Sequence, residues 1–207
     1  MPQKRTDAEL LAQWRDGDVR AGSELFDRYF DTVRRFFANK AGREVEDLVQ
    51  VTFEACVGAV RRFEGRSSFR TYLLGIANNV LRGHFRAMVR RDDIEEFASV
   101  EDMGAGLSTL VASRSEHRLL LAGLRRIPLE SQVLLELYYW ERLSGRELGL
   151  FLGVPEDTAR SRLRRGKTLL AEALRKLEED AVLIESTSGN LERWADEIRA
   201  QMVDRAV

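Results

Sequence analysis

The chain has 207 residues, with 33 Lys and Arg against 34 Asp and Glu and a hydrophobic fraction of 44%. That length fits one medium domain or two small ones, and the apolar fraction is too high for a disordered chain. Two His and a single Cys exclude an internal disulfide and a His/Cys zinc site, and no apolar run nears the roughly 20 residues of a membrane span.

The expectation is a soluble protein of the reducing cytoplasm, with no metal, no cofactor and no membrane insertion. Its charge is balanced in sum but not along the chain. Arg61 to Arg91 holds eight arginines and one acid, Asp92 to Asp102 six acids and no base, and Thr158 to Thr168 five bases and no acid. Two basic blocks separated by an acidic one suggest two modules that face polyanions.

In chain order, nearly every strong pattern is helical. Thr6-Asp7-Ala8-Glu9 reads as a capping box, with Leu10, Leu11 and Trp14 behind it and Gly17 as a break. Leu25, Phe26, Tyr29, Phe30, Val33, Phe36 and Phe37 recur at helical spacing. A third helix carries Val45, Leu48, Val49, Phe53, Cys56, Val57 and Val60 inward and Asp47, Gln50, Val51 and Glu54 outward. An acidic face with an apolar residue inside it suits a basic partner helix, although a solvated face is the plainer reading.

After a Gly-Arg-Ser-Ser turn, a fourth helix runs inward on Phe69, Leu73, Ile76, Ala77 and Val80. The segment from Phe63 to Tyr72 mixes Arg66 and Arg70, Ser67 and Ser68, and the aromatics Phe69 and Tyr72. Asn79, Arg82 and Arg86 follow at three- and four-residue steps, with Arg90 beyond. Loops that hold an unstacked base need hydrogen-bond donors for its edge and a flat surface beside it, and arginines can follow the strand. Phe69 reads as core; Tyr72 reads equally well as core or as a stacking surface.

Residues 92–112 read as an acidic flexible linker. Ser113-Arg114-Ser115-Glu116 is a second capping pattern, Ile127-Pro128 a break, and Val133 to Trp140 a dense apolar helix. Leu143-Ser144 then opens a short capped helix with Leu148, Phe151 and Leu152 inward. Gly153 closes it and Val154-Pro155 leads into the next. There Ala159, Leu163, Gly166 and Leu170 share one side. Thr158, Arg160, Ser161, Arg162, Arg164, Arg165 and Lys167 lie opposite or at the flanks.

That is the layout of a recognition helix, in which an arginine can grip a guanine edge and its neighbours neutralise phosphates. The alternative is a solvated arginine face; the capped helix and the turn before it favour DNA. Residues 181–207 read as an appended loop and an amphipathic helix (Leu191, Trp194, Ala195, Ile198, Met202) that packs back on the chain.

Taken together, the chain resembles an extracytoplasmic-function (ECF) sigma factor from about Asp7 to Leu177. The likeness rests on Gly17-Asp18, on Glu46-Asp47-Leu48-Val49-Gln50-Val51-Thr52-Phe53, and on Phe63 to Tyr72 continuing through Ile76-Ala77-Asn78-Asn79. It rests also on Leu143-Ser144 through Gly153-Val154-Pro155 to Leu163.

The resemblance implies an all-α chain of two small domains, region 2-like (1–91) and region 4-like (113–180), joined by the linker. It implies core RNA polymerase and promoter DNA as partners and no catalysis of the chain's own. Asp47, Gln50, Val51 and Glu54 would meet the β′ clamp helices, and the second domain the β flap. Arg66 to Tyr72 with Asn79, Arg82 and Arg86 would capture the −10 strand, and Thr158 to Lys167 would read the −35 duplex. An anti-sigma factor is a candidate partner.

Tyr72 stands where many members carry Trp. Two rivals stand beside this reading: an autonomous dimeric helix-turn-helix regulator, and a nucleic-acid enzyme with Asp47 and Glu44 or Glu54 around a metal.

Overall fold

Thr6 begins the first helix as its pattern requires: its hydroxyl accepts from the Glu9 N–H while the Glu9 carboxylate takes the Thr6 N–H. The computed structural model describes residues 5–92, 99–101, 115–178 and 180–203. Among them the regular structure is helical, with one isolated β-bridge between Ser99 and Pro128.

The first domain is α1 (Asp7–Arg15), α2 (Val19–Ala38), α3 (Val45–Ala59) and α4 (Phe69–Asp92). Leu10, Leu25, Val33, Phe37, Val49, Cys56, Leu73, Ala77 and Leu81 fill its centre. Burial pushes the Cys56 thiol up to about 12, so it behaves as a small hydrophobe. The periodicity holds with two exceptions. Val57, expected inside, is 54% exposed, and Phe30 is also exposed. On the helix Val57 falls at the edge of the buried arc, next to the exposed Gln50, while Cys56 and Val60 on either side of it in sequence point inward.

The second domain is α5 (Ser115–Arg125), α6 (Leu129–Tyr139), α7 (Gly145–Leu152) and α8 (Glu156–Leu177). Pro128 stands at the start of α6, where its missing N–H is not needed. Leu120, Leu124, Leu135, Leu148, Leu163, Leu170 and Leu174 form its core. The last helix is longer than its motif suggested, running on from the arginine segment to carry Leu170, Ala173 and Leu174 beneath α5.

Of the linker, Ser99–Glu101 lies against this domain. Val100 is fully buried, the Glu101 N–H reaches the Arg125 carbonyl, and Arg126 holds the Glu101 carboxylate at 2.6 Å. The rest of the linker, and the capping pattern at Ser113, lie outside the described residues.

The tail departs from expectation. Residues read as a loop form α9 (Ala181–Gly189), capped by Asp180, before α10 (Leu191–Val203). Ser and Thr are tolerated there because their hydroxyls bond back to the preceding turn, as Thr187 does to the Leu183 carbonyl at 2.7 Å. As expected, the tail packs on its own chain. Trp194 is buried edge-on against His117, donates its indole N–H to the Ser186 carbonyl at 3.0 Å, and has Asp196 beside it paired to Arg142.

Candidate nucleic-acid interfaces

The α7–α8 unit is built by short-range chemistry. Ser144 caps α7 with a reciprocal box: its hydroxyl accepts from the Glu147 N–H, and the Glu147 carboxylate accepts from the Ser144 N–H at 2.9 Å. That N–H, then the Ser144 hydroxyl and the Arg70 charge, hold the Glu147 carboxyl below its usual value against the opposing effect of burial.

Gly153 ends α7 at φ +67°, a left-handed conformation that a side chain would strain. Pro155 then starts α8, with Ala159, Leu163, Gly166 and Leu170 buried. Thr158, Arg160, Ser161, Arg162, Arg164 and Arg165 are all exposed. Arg160 is held by Glu156 one turn back, at 2.9 and 2.6 Å. Arg162, Arg164 and Arg165 make no ion pair among the described residues. Lys167 turns away from this face, and its ammonium lies 5.3 and 5.2 Å from the ring centres of Tyr138 and Tyr139.

On the first domain, Gly65 turns the chain at φ +72°, and Ser68 then starts α4 by accepting the Thr71 N–H at 3.1 Å. Phe69 is core, edge-on to Phe63 and Tyr29. Tyr72 is half-buried, its ring 4.7 Å from Phe63 and its hydroxyl donating to the Ala59 carbonyl at 3.1 Å. It therefore braces the loop while keeping one side open. Arg66 is exposed and pairs with Glu64 at 2.5 Å, and Ser67 bonds the Ser68 carbonyl. Further along, Asn79, Arg82 and Arg86 share one exposed side of α4. Arg82 meets the Glu130 carboxylate of the second domain, and Arg70 lies close enough to act on Glu147.

On α3, Asp47, Gln50, Val51 and Glu54 are exposed, with Val51 at 45% and the Gln50 amide donating to Glu54 at 2.8 Å. Val57 and Phe30, which sequence reasoning read as inward, are exposed apolar groups near this surface. Phe30 stacks parallel to Phe53 at 6.3 Å. Among the described residues no three His, Cys, Asp or Glu side chains gather as a metal site would need.

A polar cluster that sequence reasoning missed joins the domains. Lys40, 0% exposed, pairs with Glu136, 3% exposed, and lies 4.5 Å over the Phe36 ring. Gln132 donates to the same carboxylate at 2.8 Å, and Arg125 donates to the Asn39 carbonyl at 3.1 Å. Beside them Arg35 grips Glu141 with two hydrogen bonds, at 3.0 and 3.3 Å. Burial lowers the Lys40 ammonium's affinity for its proton, and Glu136 opposes that. The signal was present in the sequence: Glu136 stands alone inside a dense apolar helix.

The described residues thus place a helix-turn-helix with exposed arginines in one helical unit and an arginine-rich helix in the other. The sequence model for Sigma-70 region 2 matches residues 25–91. The chain is 30% identical over 172 residues to RNA polymerase sigma factor CarQ of Myxococcus xanthus, covering 81% of this chain and 97% of that protein. It is 34% identical over 135 residues to ECF RNA polymerase sigma factor SigC of Mycobacterium tuberculosis, covering 62% of this chain and 69% of the other. Its fold is similar to that of CnrH, solved in complex with the cytosolic domain of CnrY. The TM-score is 0.59, the identity 22%, and the match covers 82% of this chain and 97% of CnrH. The chain belongs to the ECF family of RNA polymerase sigma factors.

Proposed function

We propose that this chain is a promoter-specificity subunit that binds core RNA polymerase and directs it to start sites, without catalysis of its own. Residues 113–180 read the −35 element as duplex, with Arg162, Arg164 and Arg165 as the principal base and phosphate contacts. Residues 1–91 hold the −10 strand along Asn79, Arg82 and Arg86, with Tyr72 as the flat surface beside the loop. The outer side of α3 around Asp47, Gln50, Val51 and Glu54 docks on the polymerase, and Val57 and Phe30 extend it.

One observation carries the reading. On α8, Arg162, Arg164 and Arg165 meet no carboxylate among the described residues, on a helix whose opposite side is buried, so their charge is available to an anion. A dimeric regulator would explain that unit but leave the α4 and α3 surfaces idle. An anti-sigma protein that covers both arginine faces is the expected silencing partner.

In vitro transcription with core polymerase on a genomic library tests the proposal. Specific transcripts that require the chain support it. No transcripts, together with tight operator binding by the chain alone, would favour the regulator.

A further inference from the structure

Helix α1 ends on a side chain that reaches across the first domain. Arg15 donates to the Val60 carbonyl through Nε and Nη2, at 3.3 and 3.2 Å, and through the same Nη2 to the Phe63 carbonyl. Its guanidinium carbon lies 5.9 Å from the centre of the Phe63 ring. These carbonyls belong to the short turn at Val60–Arg62 and its end, where α3 has run out and its last carbonyls need donors. A cation is a favoured donor at that end of a helix.

The neighbouring carbonyl is taken too, since Tyr72 donates its hydroxyl to Ala59 at 3.1 Å. On the far side, Ser68 accepts the Thr71 N–H, and the two hydroxyls share a hydrogen bond at 2.8 Å. Between these anchored roots lie only Glu64, Gly65, Arg66 and Ser67, with Gly65 turning the chain at φ +72°. A stretch this short, pinned at both ends, keeps few conformations.

Arg15 is itself aimed by packing. Trp14 stands edge-on to Phe26 at 5.2 Å and lies over Gly22, where a Cβ would fall 2.7 Å from the indole nitrogen. So close an approach needs glycine, and it fixes the end of α1 from which Arg15 projects.

We propose that Arg15 is a positioning residue for capture of the −10 strand. It holds the Val60 and Phe63 carbonyls so that the Glu64–Ser67 loop and the open side of Tyr72 keep one spacing, and the base that fits that gap is selected. The inference rests on residues 63–72 being the base-capturing surface. Lysine in its place keeps the charge but is a point donor, without the planar fork that spans two carbonyls.

The test uses holoenzyme reconstituted from the full chain and core RNA polymerase, with a randomised pool of single-stranded DNA and core polymerase alone as the blank. Sequencing the bound fraction gives the preference for each base. Anisotropy with the best-enriched oligonucleotide gives affinity across a salt series. Arg15→Lys should lower the strongest base preference about tenfold, the scale on which stacking and edge contacts discriminate. Arg15→Gln should do the same with the salt slope unchanged, and it carries the test if Arg15→Lys loses helical signal in circular dichroism. In the free chain, a nitroxide at the exposed Glu64→Cys should move faster in either variant; the buried Cys56 is spared.

A retained base preference overturns the proposal whatever happens to overall affinity, because a purely structural role weakens binding to all strands alike. Unchanged nitroxide motion overturns it too. So does a salt slope smaller by about 0.7 in Arg15→Gln, which would make Arg15 a phosphate contact. If the wild-type holoenzyme shows no base preference, residues 63–72 capture no base and both readings fall. A preference that survives in the variants fells the role of Arg15 alone.

Discussion

The arginines of α8 and those of α4 sit on helices with similar sequence patterns and in different surroundings. Arg162, Arg164 and Arg165 project from the second domain with no carboxylate opposite them among the described residues. Arg82, in contrast, meets Glu130 of the other domain, and Arg70 shares its field with Glu147. A count of basic residues treats the two helices alike. Their electrostatics differ because one faces solvent and the other faces a domain with acids on its surface, so the first keeps its charge open to an incoming anion while the second already has carboxylates beside it.

That contrast depends on the contact between domains, and the largest expected effect is there. Glu136→Ala strands the Lys40 ammonium in the interior and should lower stability by about 3–5 kcal/mol, read by urea denaturation. Replacing both partners together, Lys40→Met with Glu136→Leu, should restore most of that loss, since the charge and its penalty leave together. If the single and double variants are equally unstable, the pair is not what joins the domains.

The α8 side of the comparison is sharpened by Arg165→Ala, expected to cost about 1–3 kcal/mol of discrimination in duplex promoter binding. Asn79→Ala should leave that binding intact and reduce strand opening in permanganate footprinting with polymerase. Identical defects in the two variants would merge the faces that the structure keeps apart. Changing Asp47 to Arg should reduce co-elution with core polymerase without affecting either, because it reverses the charge of a third surface.

Ser144→Ala should cost about 1 kcal/mol through loss of the α7 cap. Glu147 has its folded value held below the ordinary 4.5, so its stabilisation is complete above that pH and fades as pH falls through the folded value. Wild type and Ser144→Ala should therefore converge in acid; a gap constant with pH would place the cap's contribution elsewhere. The smallest effect belongs to Arg82–Glu130, where a double-mutant cycle should give no more than about 1 kcal/mol for an exposed pair.

Helical identity and the inner side of most helices were legible in the residues because both follow from local rules. The two capping boxes, Gly153 at its left-handed turn and the Ala159–Leu163–Gly166–Leu170 side of α8 all lie within a few residues of their causes. Val57 was misread because it sits at the edge of the apolar arc of α3, about 20° around the helix from the exposed Gln50, where residue type alone does not say which side wins. Residues 181–189 failed because Ser, Thr and Gly compete with a helix in isolation, and here Asp180 and packing on α5 decide the outcome. The roles of Tyr72 and Ser68 were half legible: residue type suggested base contact, while the Ala59 carbonyl and the Thr71 N–H draw on the same side chains for structure.

The amino-acid order by itself determined which segments are helical, where two of the caps and the turn of the helix-turn-helix fall, and that two basic stretches flank an acidic one. All of these depend on neighbours within about one turn of chain. Whether Lys40 would be buried, which arginines would find a carboxylate, and how the tail would lie depended on residues far away in the chain: 96 positions for Lys40, 106 for Arg35, 48 for Arg82 and 54 for the Arg142–Asp196 pair of the tail. The interaction of two charges is set by their separation and by the water between them, and only the folded arrangement fixes both.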